Sequence, residues 1–165
     1  MPGPDRTRTF TWTDPLATAR AAQGRSGLAF LHAILDGTIA PPPISAALDF
    51  ALIAADDGVA RFRGQPGEYH YNPMGSVHGG YAATLLDSAM GSAVMTALDA
   101  TEMYATVGLS IYLVRPINLS SGPLVAEGRL VHRGKRVATA DGRLTDSAGH
   151  LVAHGTTSCA IAPRP

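Results

Sequence analysis

The sequence predicts an α+β fold: one long apolar helix covered by a curved antiparallel sheet, with a helical extension in front. Three observations lead there. The stretch from Tyr81 to Leu98 has helical texture, small and apolar residues throughout, and one charged residue, Asp87. Four strand-like segments follow it in series, separated by tight-turn residues. Ahead of it the texture passes from helical before residue 37 to β from Ser45 onward. A helix that is apolar all round is a buried helix. A sheet that must cover it curls around it.

The elements follow in chain order. Residues 1–13 are polar and Pro-rich and are expected to fray. Asp14 is a candidate N-cap with Pro15 at the first helical position. Gly24 and Gly27 split the helical region into two, the second running to about Asp36 with Leu28, Leu31, Ala33 and Leu35 on its apolar face. Gly37 stops it, and Pro41-Pro42-Pro43 is a stiff connector. Strands are expected at Leu48–Ala55 and Val59–Arg63 around the turn Asp56-Asp57-Gly58, where the glycine supplies φ > 0. A short strand is expected at Glu68–Tyr71. The long helix follows the turn-rich segment Asn72 to Gly80. Strands are then expected at Ala105–Val114, Leu124–His132, Val137–Thr145 and Leu151–Ala160. In the first of these Val107, Leu109, Ile111 and Leu113 alternate with Ser110 and Tyr112. The organisation expected is a helical extension over 1–44 and a single α+β domain over 45–162.

Composition narrows the function. Lys plus Arg and Asp plus Glu both number 13, so no global positive field points to nucleic acid. No dense Lys/Arg run suggests a membrane surface, and the longest apolar run is interrupted by Asp87, Ser, Thr and Gly, unlike a spanning helix. The first residues lack the apolar core of a signal peptide, which makes the cytoplasm the expected location. Charged residues are 16% of the chain, below the usual quarter, a composition that suits surface buried against other copies. The single cysteine, Cys159, lies in strand-like sequence and reads as a small buried hydrophobe. His70 and His78 have no recognised metal-ligand spacing and no third ligand, and no metal is expected.

Asp87 carries the chemistry. A carboxylate two turns into an apolar helix costs several kcal/mol without polar partners, or shifts its pKa upward. Such a residue fits a general base or nucleophile lining a cleft. The helix start, His78-Gly79-Gly80, offers free N–H groups with the helix dipole behind them. Its glycines let a substrate approach the backbone, the arrangement that holds the oxyanion of an acyl transfer. Asp87 lies on roughly the same face as Gly79, eight residues and ~12 Å further along. One helix therefore cannot present both groups to one carbonyl. Two such helices, antiparallel across a dimer, can, and the spacing predicts a homodimer with shared active sites.

The string Asn72-Pro73-Met74-Gly75-Ser76-Val77-His78-Gly79-Gly80, followed by Thr84-Leu85-Leu86-Asp87, resembles the signature of the PaaI-type hotdog thioesterases, named after a phenylacetate-degradation enzyme. Ala105-Thr106-Val107 to Pro116, Ala126-Glu127-Gly128 to Gly134, and Gly149 to Gly155 are similar to the same family. The resemblance runs from about Leu48 to Ala160. It implies a hotdog fold and hydrolysis of acyl-CoA, aromatic or medium-chain, to free acid and coenzyme A. No cofactor is implied, since coenzyme A arrives as part of the substrate. Asp87 matches the family's catalytic acid, and the Gly79 N–H its carbonyl-polarising donor. Asn72 matches an asparagine that places the water or the carbonyl. Thr106 stands where a Thr or Ser assists the carboxylate from the partner chain. Gly80 and His78 complete the catalytic set that the resemblance implies, His78 with its imidazole bonding to backbone around the turn.

Arg115, Arg133, Lys135 and Arg136 fall at strand ends and turns, where a few cations would meet coenzyme A phosphates. Tyr81, Met90, Met103 and Tyr112 are candidates for lining the acyl pocket. A homodimer is expected, a homotetramer being a further possibility. Two other readings stand beside the thioesterase. One is a hotdog enoyl or hydroxyacyl thioester hydratase–dehydratase using His78 with Asp87. The other is a non-catalytic acyl-CoA-binding protein, for which the extension is short and neutral as a DNA-binding segment.

Overall fold

The computed structural model describes residues 5–164; residues 1–4 of the leader expected to fray, and Pro165, lie outside the described residues. Residues 5–14 form no helix or strand. The helix α1 (Pro15–Ala21) starts as expected, with the Asp14 carboxylate accepting from the Leu16 N–H and Pro15 in the first turn. The helix α2 (Gly27–Leu35) is capped by the Ser26 hydroxyl, which accepts from the Ala29 N–H. Leu31 and Ala33 of its face are buried, while Leu35 is exposed.

The third helix, α3 (Pro43–Leu48), was not expected. Pro43 is not only the end of a stiff connector; it opens a helix, where its missing N–H costs nothing and its fixed φ is already helical. The first strand consequently begins later than expected. Strand β1 (Phe50–Asp56) pairs with β2 (Val59–Gly64) around the Asp57-Gly58 turn, where Gly58 has φ +71°. Glu68–His70 is a short 3-10 helix instead of the expected strand.

The long helix α4 (Gly79–Thr96) is followed by β3 (Glu102–Leu113), β4 (Leu124–Arg133), β5 (Val137–Thr145) and β6 (Leu151–Pro163). All six strands form one antiparallel sheet in the order β1-β2-β4-β5-β6-β3. Every strand touches α4, which is the hotdog arrangement of a helix gripped by a curved sheet. Leu85, Leu86, Ala89, Met90 and Val94 of α4 are fully buried against Leu124, Ala126, Ala140, Leu144 and Val152. Gly128 lets the sheet come this close, since a Cβ there would stand 2.2 Å from the Ala89 carbonyl oxygen.

Two departures position the site. Helix α4 is not buried all round. Gly80 is exposed, and Ala83, Thr84, Asp87 and Ser88 are half-buried along one stripe at helical spacing. Strand β3 is a sheet edge, with Val107, Leu109, Tyr112 and Leu113 all exposed. The extension, for its part, is packed down. The Gly27 N–H donates to the Leu98 carbonyl (3.0 Å), and the His32 ring bonds the Ala55 carbonyl (2.9 Å). Arg164 at the C-terminal end donates to the Ala22 carbonyl (2.5 Å). Among the described residues, no helix is long and apolar enough to cross a membrane.

Candidate active site

The start of α4 sorts its N–H groups into different tasks. His78 is the N-cap, in extended conformation, and its Nδ1 accepts from the Gly80 N–H at 2.8 Å. The Tyr81 N–H is taken by the His78 carbonyl at 2.9 Å. The Gly79 N–H has no acceptor among the described residues. Gly80 was expected among the catalytic glycines; with its N–H turned to the His78 ring, it has none to offer a substrate. The His78 ring thereby ties down the turn at the helix start.

Gly79 faces a hollow of about 270 Å³ shared with Asn72, Ser76, Leu113 and Arg115. The close approach of β3 needs a glycine here, because a Cβ would lie 2.5 Å from Leu113 Cδ1. Asn72 is largely spent on its own loop. Its Oδ1 accepts from the Met74 N–H (2.9 Å) and the Ser76 N–H (3.2 Å), and its Nδ2 donates to Ser76 Oγ (3.0 Å). An amide nitrogen carries two protons, so one Nδ2 proton has no acceptor among the described residues.

Asp87 lies elsewhere. It is half-buried on the open stripe of α4 and lines a separate cavity of about 320 Å³ with Ser88, Ser92, Met95, Tyr104 and residues of the extension. Thr106 Oγ1 donates to Asp87 Oδ1 at 3.1 Å within the same chain. This differs from the expectation that the threonine would come from the partner. The cause is local: β3 runs past α4 in its own subunit, and Tyr104 and Thr106 share the strand face turned to the helix. The Asp87 cavity and the Gly79 hollow have no lining residue in common, so one chain does not bring carboxylate and free N–H together.

The four basic residues separate into two groups. Arg133 is tied to the Glu102 carboxylate in a half-buried ion pair, and that hydrogen bond raises its pKa further. It is not a loose cation awaiting a phosphate, and the partner that claims it, 31 residues away, could not be inferred from the sequence. Arg115, Lys135 and Arg136 are exposed and have no ion pair among the described residues. Arg115 stands beside Gly79. The other two occupy the β4–β5 turn, where the Arg136 carbonyl accepts from Ile161.

The four residues expected to line an acyl pocket do not border the Asp87 cavity. Tyr81 and Met90 are core residues, Met103 and Tyr112 face outward on β3, and none of the four lines the Asp87 cavity. Phe30, Ile34, Phe62 and Tyr104 do. Phe30 and Ile34 belong to α2 but lie outside the apolar face read from the sequence, and no pattern set Phe62 or Tyr104 apart from other strand residues. Cys159 is fully buried, and burial pushes its thiol pKa up, as suits a core residue.

Comparison with known proteins agrees with this architecture. The model of the thioesterase superfamily matches residues 74–153. A protein of Halobacterium salinarum (strain ATCC 700922 / JCM 11081 / NRC-1), named as a candidate esterase, is 41% identical over 69 residues, 41% of this chain. The match spans only 44% of that relative's length. The crystal structure of a phenylacetic acid degradation-related protein of Ralstonia eutropha JMP134, described as a candidate thioesterase, superposes with a TM-score of 0.72. It is 27% identical, and the match covers 79% of this chain and 98% of that one. A Streptococcus mutans UA159 protein crystallised with acetyl-CoA shares the fold at a TM-score of 0.63 and 24% identity, over 70% of this chain and 90% of its own. Residues 74–153 thus carry the thioesterase-superfamily pattern, and the fold is the one seen in the PaaI-like hotdog proteins.

Proposed function

We propose that the protein is an acyl-CoA thioesterase working as a homodimer, with each active site built from two subunits. The observation that carries this reading is the division within α4: a free Gly79 N–H at its start, and a Thr106-held carboxylate ~12 Å along it, in a separate hollow. A second copy of the helix, antiparallel to the first, places the Asp87 of one subunit opposite the Gly79 of the other. The open stripe of Gly80, Ala83 and Thr84 is small enough for such a helix to lie close.

Strand β3 supplies the means of pairing. Its twelve residues form a sheet edge bearing exposed apolar side chains. A long apolar edge is an aggregation liability unless it is paired or covered. Antiparallel pairing of β3 with its own copy satisfies both backbones about a two-fold axis and sets the two α4 helices side by side. It also gathers the cations. Arg115 and the Lys135–Arg136 turn lie at opposite ends of β3, ~40 Å apart in one chain. Antiparallel pairing carries Arg115 of one subunit toward Lys135 and Arg136 of the partner subunit, a setting for coenzyme A phosphates. A homotetramer would stack two such dimers without changing this site.

In the reaction, the thioester carbonyl oxygen accepts a hydrogen bond from the Gly79 N–H, aided by the helix dipole as negative charge develops. Asp87 of the partner subunit, its Oδ1 held by Thr106, acts through Oδ2. Either it attacks the carbonyl carbon to form an acyl-enzyme anhydride that water then opens, or it takes a proton from a water that attacks. The C–S bond breaks, coenzyme A leaves as thiolate and is protonated, and the free acid follows. A second protein of this fold binds acetyl-CoA, which supports the substrate class.

The hydratase alternative needs a histidine beside the carboxylate, whereas the His78 ring is occupied with capping its own helix. Thiol release from arylacetyl- and medium-chain acyl-CoAs, run beside hydration of an enoyl-CoA, decides between them. Thiol release without hydration is the expected result. Hydration without thiol release, or binding with neither reaction, would remove the thioesterase reading.

A further inference from the structure

We propose that the N-terminal extension forms the far wall of the acyl subsite, making it a closed-ended apolar cavity that takes a single ring or a short to medium unbranched chain and rejects long-chain acyl groups. This rests on the assignment of Asp87 as the group that meets the thioester carbonyl. The cavity begins at Asp87. From there Ser88, Ser92 and Met95 continue it along one stripe of α4, at helical spacings of four and three. Phe50, Leu52 and Phe62 of the first hairpin and Tyr104 of β3 form its sides. The remaining wall comes from the extension, with Phe30, Leu31 and Ile34 of α2 and Ile44 of α3 among its residues. All of these lie before residue 74, outside the segment that carries the superfamily pattern.

The extension is built to be a wall. Gly27 sits so tightly on the end of α4 that a Cβ would stand 1.9 Å from the Met95 carbonyl oxygen. Hydrogen bonds from Gly27 to Leu98, from His32 to Ala55 and from Arg164 to Ala22 fix it at three places. Met95, which lies against Gly27, also lines the cavity, so the docking of α2 and the shape of the subsite are set by the same contact. The volume of about 320 Å³ is at the low end for a ligand pocket. Its walls are mainly aromatic and aliphatic side chains, with the hydroxyls of Thr18, Ser45, Ser88 and Ser92 among them, so an acyl group enters largely by burying apolar surface, and its length is limited by Phe30 and Ile34.

The test compares kcat/KM across straight-chain acyl-CoAs from butanoyl to hexadecanoyl, with phenylacetyl-CoA alongside, for wild type, Phe30→Ala and Ile34→Trp. Circular dichroism checks the fold of each. In wild type the values fall sharply beyond medium length. The dodecanoyl-to-butanoyl ratio rises roughly tenfold or more in Phe30→Ala and falls by a similar factor in Ile34→Trp, the scale set by one or two methylenes in an apolar pocket. Ratios that stay within about twofold of wild type in both folded variants would overturn the inference while leaving the thioesterase intact. Absence of thiol release from every substrate would instead remove the thioesterase reading. The same series would then be measured as equilibrium binding of thioether analogues, where a length limit shifted by the two variants upholds the wall and an unshifted one overturns it.

Discussion

Gly79 and Gly80 are neighbours with opposite assignments. His78 takes the Gly80 N–H and leaves that of Gly79 free. Both glycines and the histidine stood out in the sequence, but which N–H stays free depends on the extended backbone of the cap, and no pattern encodes that. Asp87 was legible because a lone charge in an apolar helix demands a reason. Its threonine partner was legible as a residue, yet not as an intrachain contact, since that depends on how β3 crosses α4. A different histidine leads to a pH prediction. His70 is buried, stacked on Tyr81 at 4.1 Å, with Nδ1 accepting from the Gly67 N–H. Burial lowers its pKa, with Arg8 adding to the shift and Asp49 and the nearby Leu48 backbone opposing it. The unfolded ring titrates near ~6.5, so below that pH the unfolded state binds more protons than the native one. The stability that His70 contributes is thus present above about 6.5 and is lost as pH falls through the lower folded value. Melting temperature should drop between neutral and mildly acid pH, and His70→Phe, which keeps the stacking, should flatten part of that drop. An unchanged slope would assign the acid sensitivity to other groups.

Strands and the central helix were read well because their periods are strong: β5 has the expected ends, and β4 differs by one residue. The failures lie where local sequence is ambiguous. Pro41-Pro42-Pro43 looks the same whether the third proline ends a connector or opens a helix. Glu68–Tyr71 carries aromatics suited to a strand, but Gly67 and the His70 ring close a 3-10 turn. Strand order was beyond the sequence, and with it the knowledge that β3 is an edge. Two variants test what these elements do. Gly128→Ala should lower stability by about 1–3 kcal/mol, because helix and sheet must part to admit a methyl group; equilibrium denaturation reads this directly, and an unaffected midpoint would contradict the close packing. Leu109→Lys puts a charge on the helix-facing side of the exposed edge. Sedimentation should show dissociation toward monomer with loss of thiol release, whereas an intact, active dimer would place the interface elsewhere.

The whole molecule is a single helix-in-sheet unit that leaves one strand edge and one helix stripe open, with the free Gly79 N–H at the start of that stripe and the Asp87 carboxylate further along it. The low charge content suits buried intersubunit surface, which the proposed dimer would put on that edge and stripe. Subunit mixing tests the shared site. Asp87→Asn and Gly79→Val, the latter excluded from its hollow by Leu113, should each be inactive alone. Refolded together, they should regain roughly a quarter of wild-type activity, since half of the randomly paired dimers are mixed and each holds one intact site of two. Activity that stays at the level of the separate variants would mean that each site is contained in one chain.

The most direct measurement is the rate of thiol release from the preferred acyl-CoA by wild type and by Asp87→Asn, with folding and substrate binding checked in both. Loss of the carboxylate is expected to slow kcat by ~10²–10⁴ while the fold and the binding of acyl-CoA persist. A folded, substrate-binding Asp87→Asn protein within about threefold of wild type, far short of the loss of a general base, would contradict the assignment of Asp87 and the mechanism built on it.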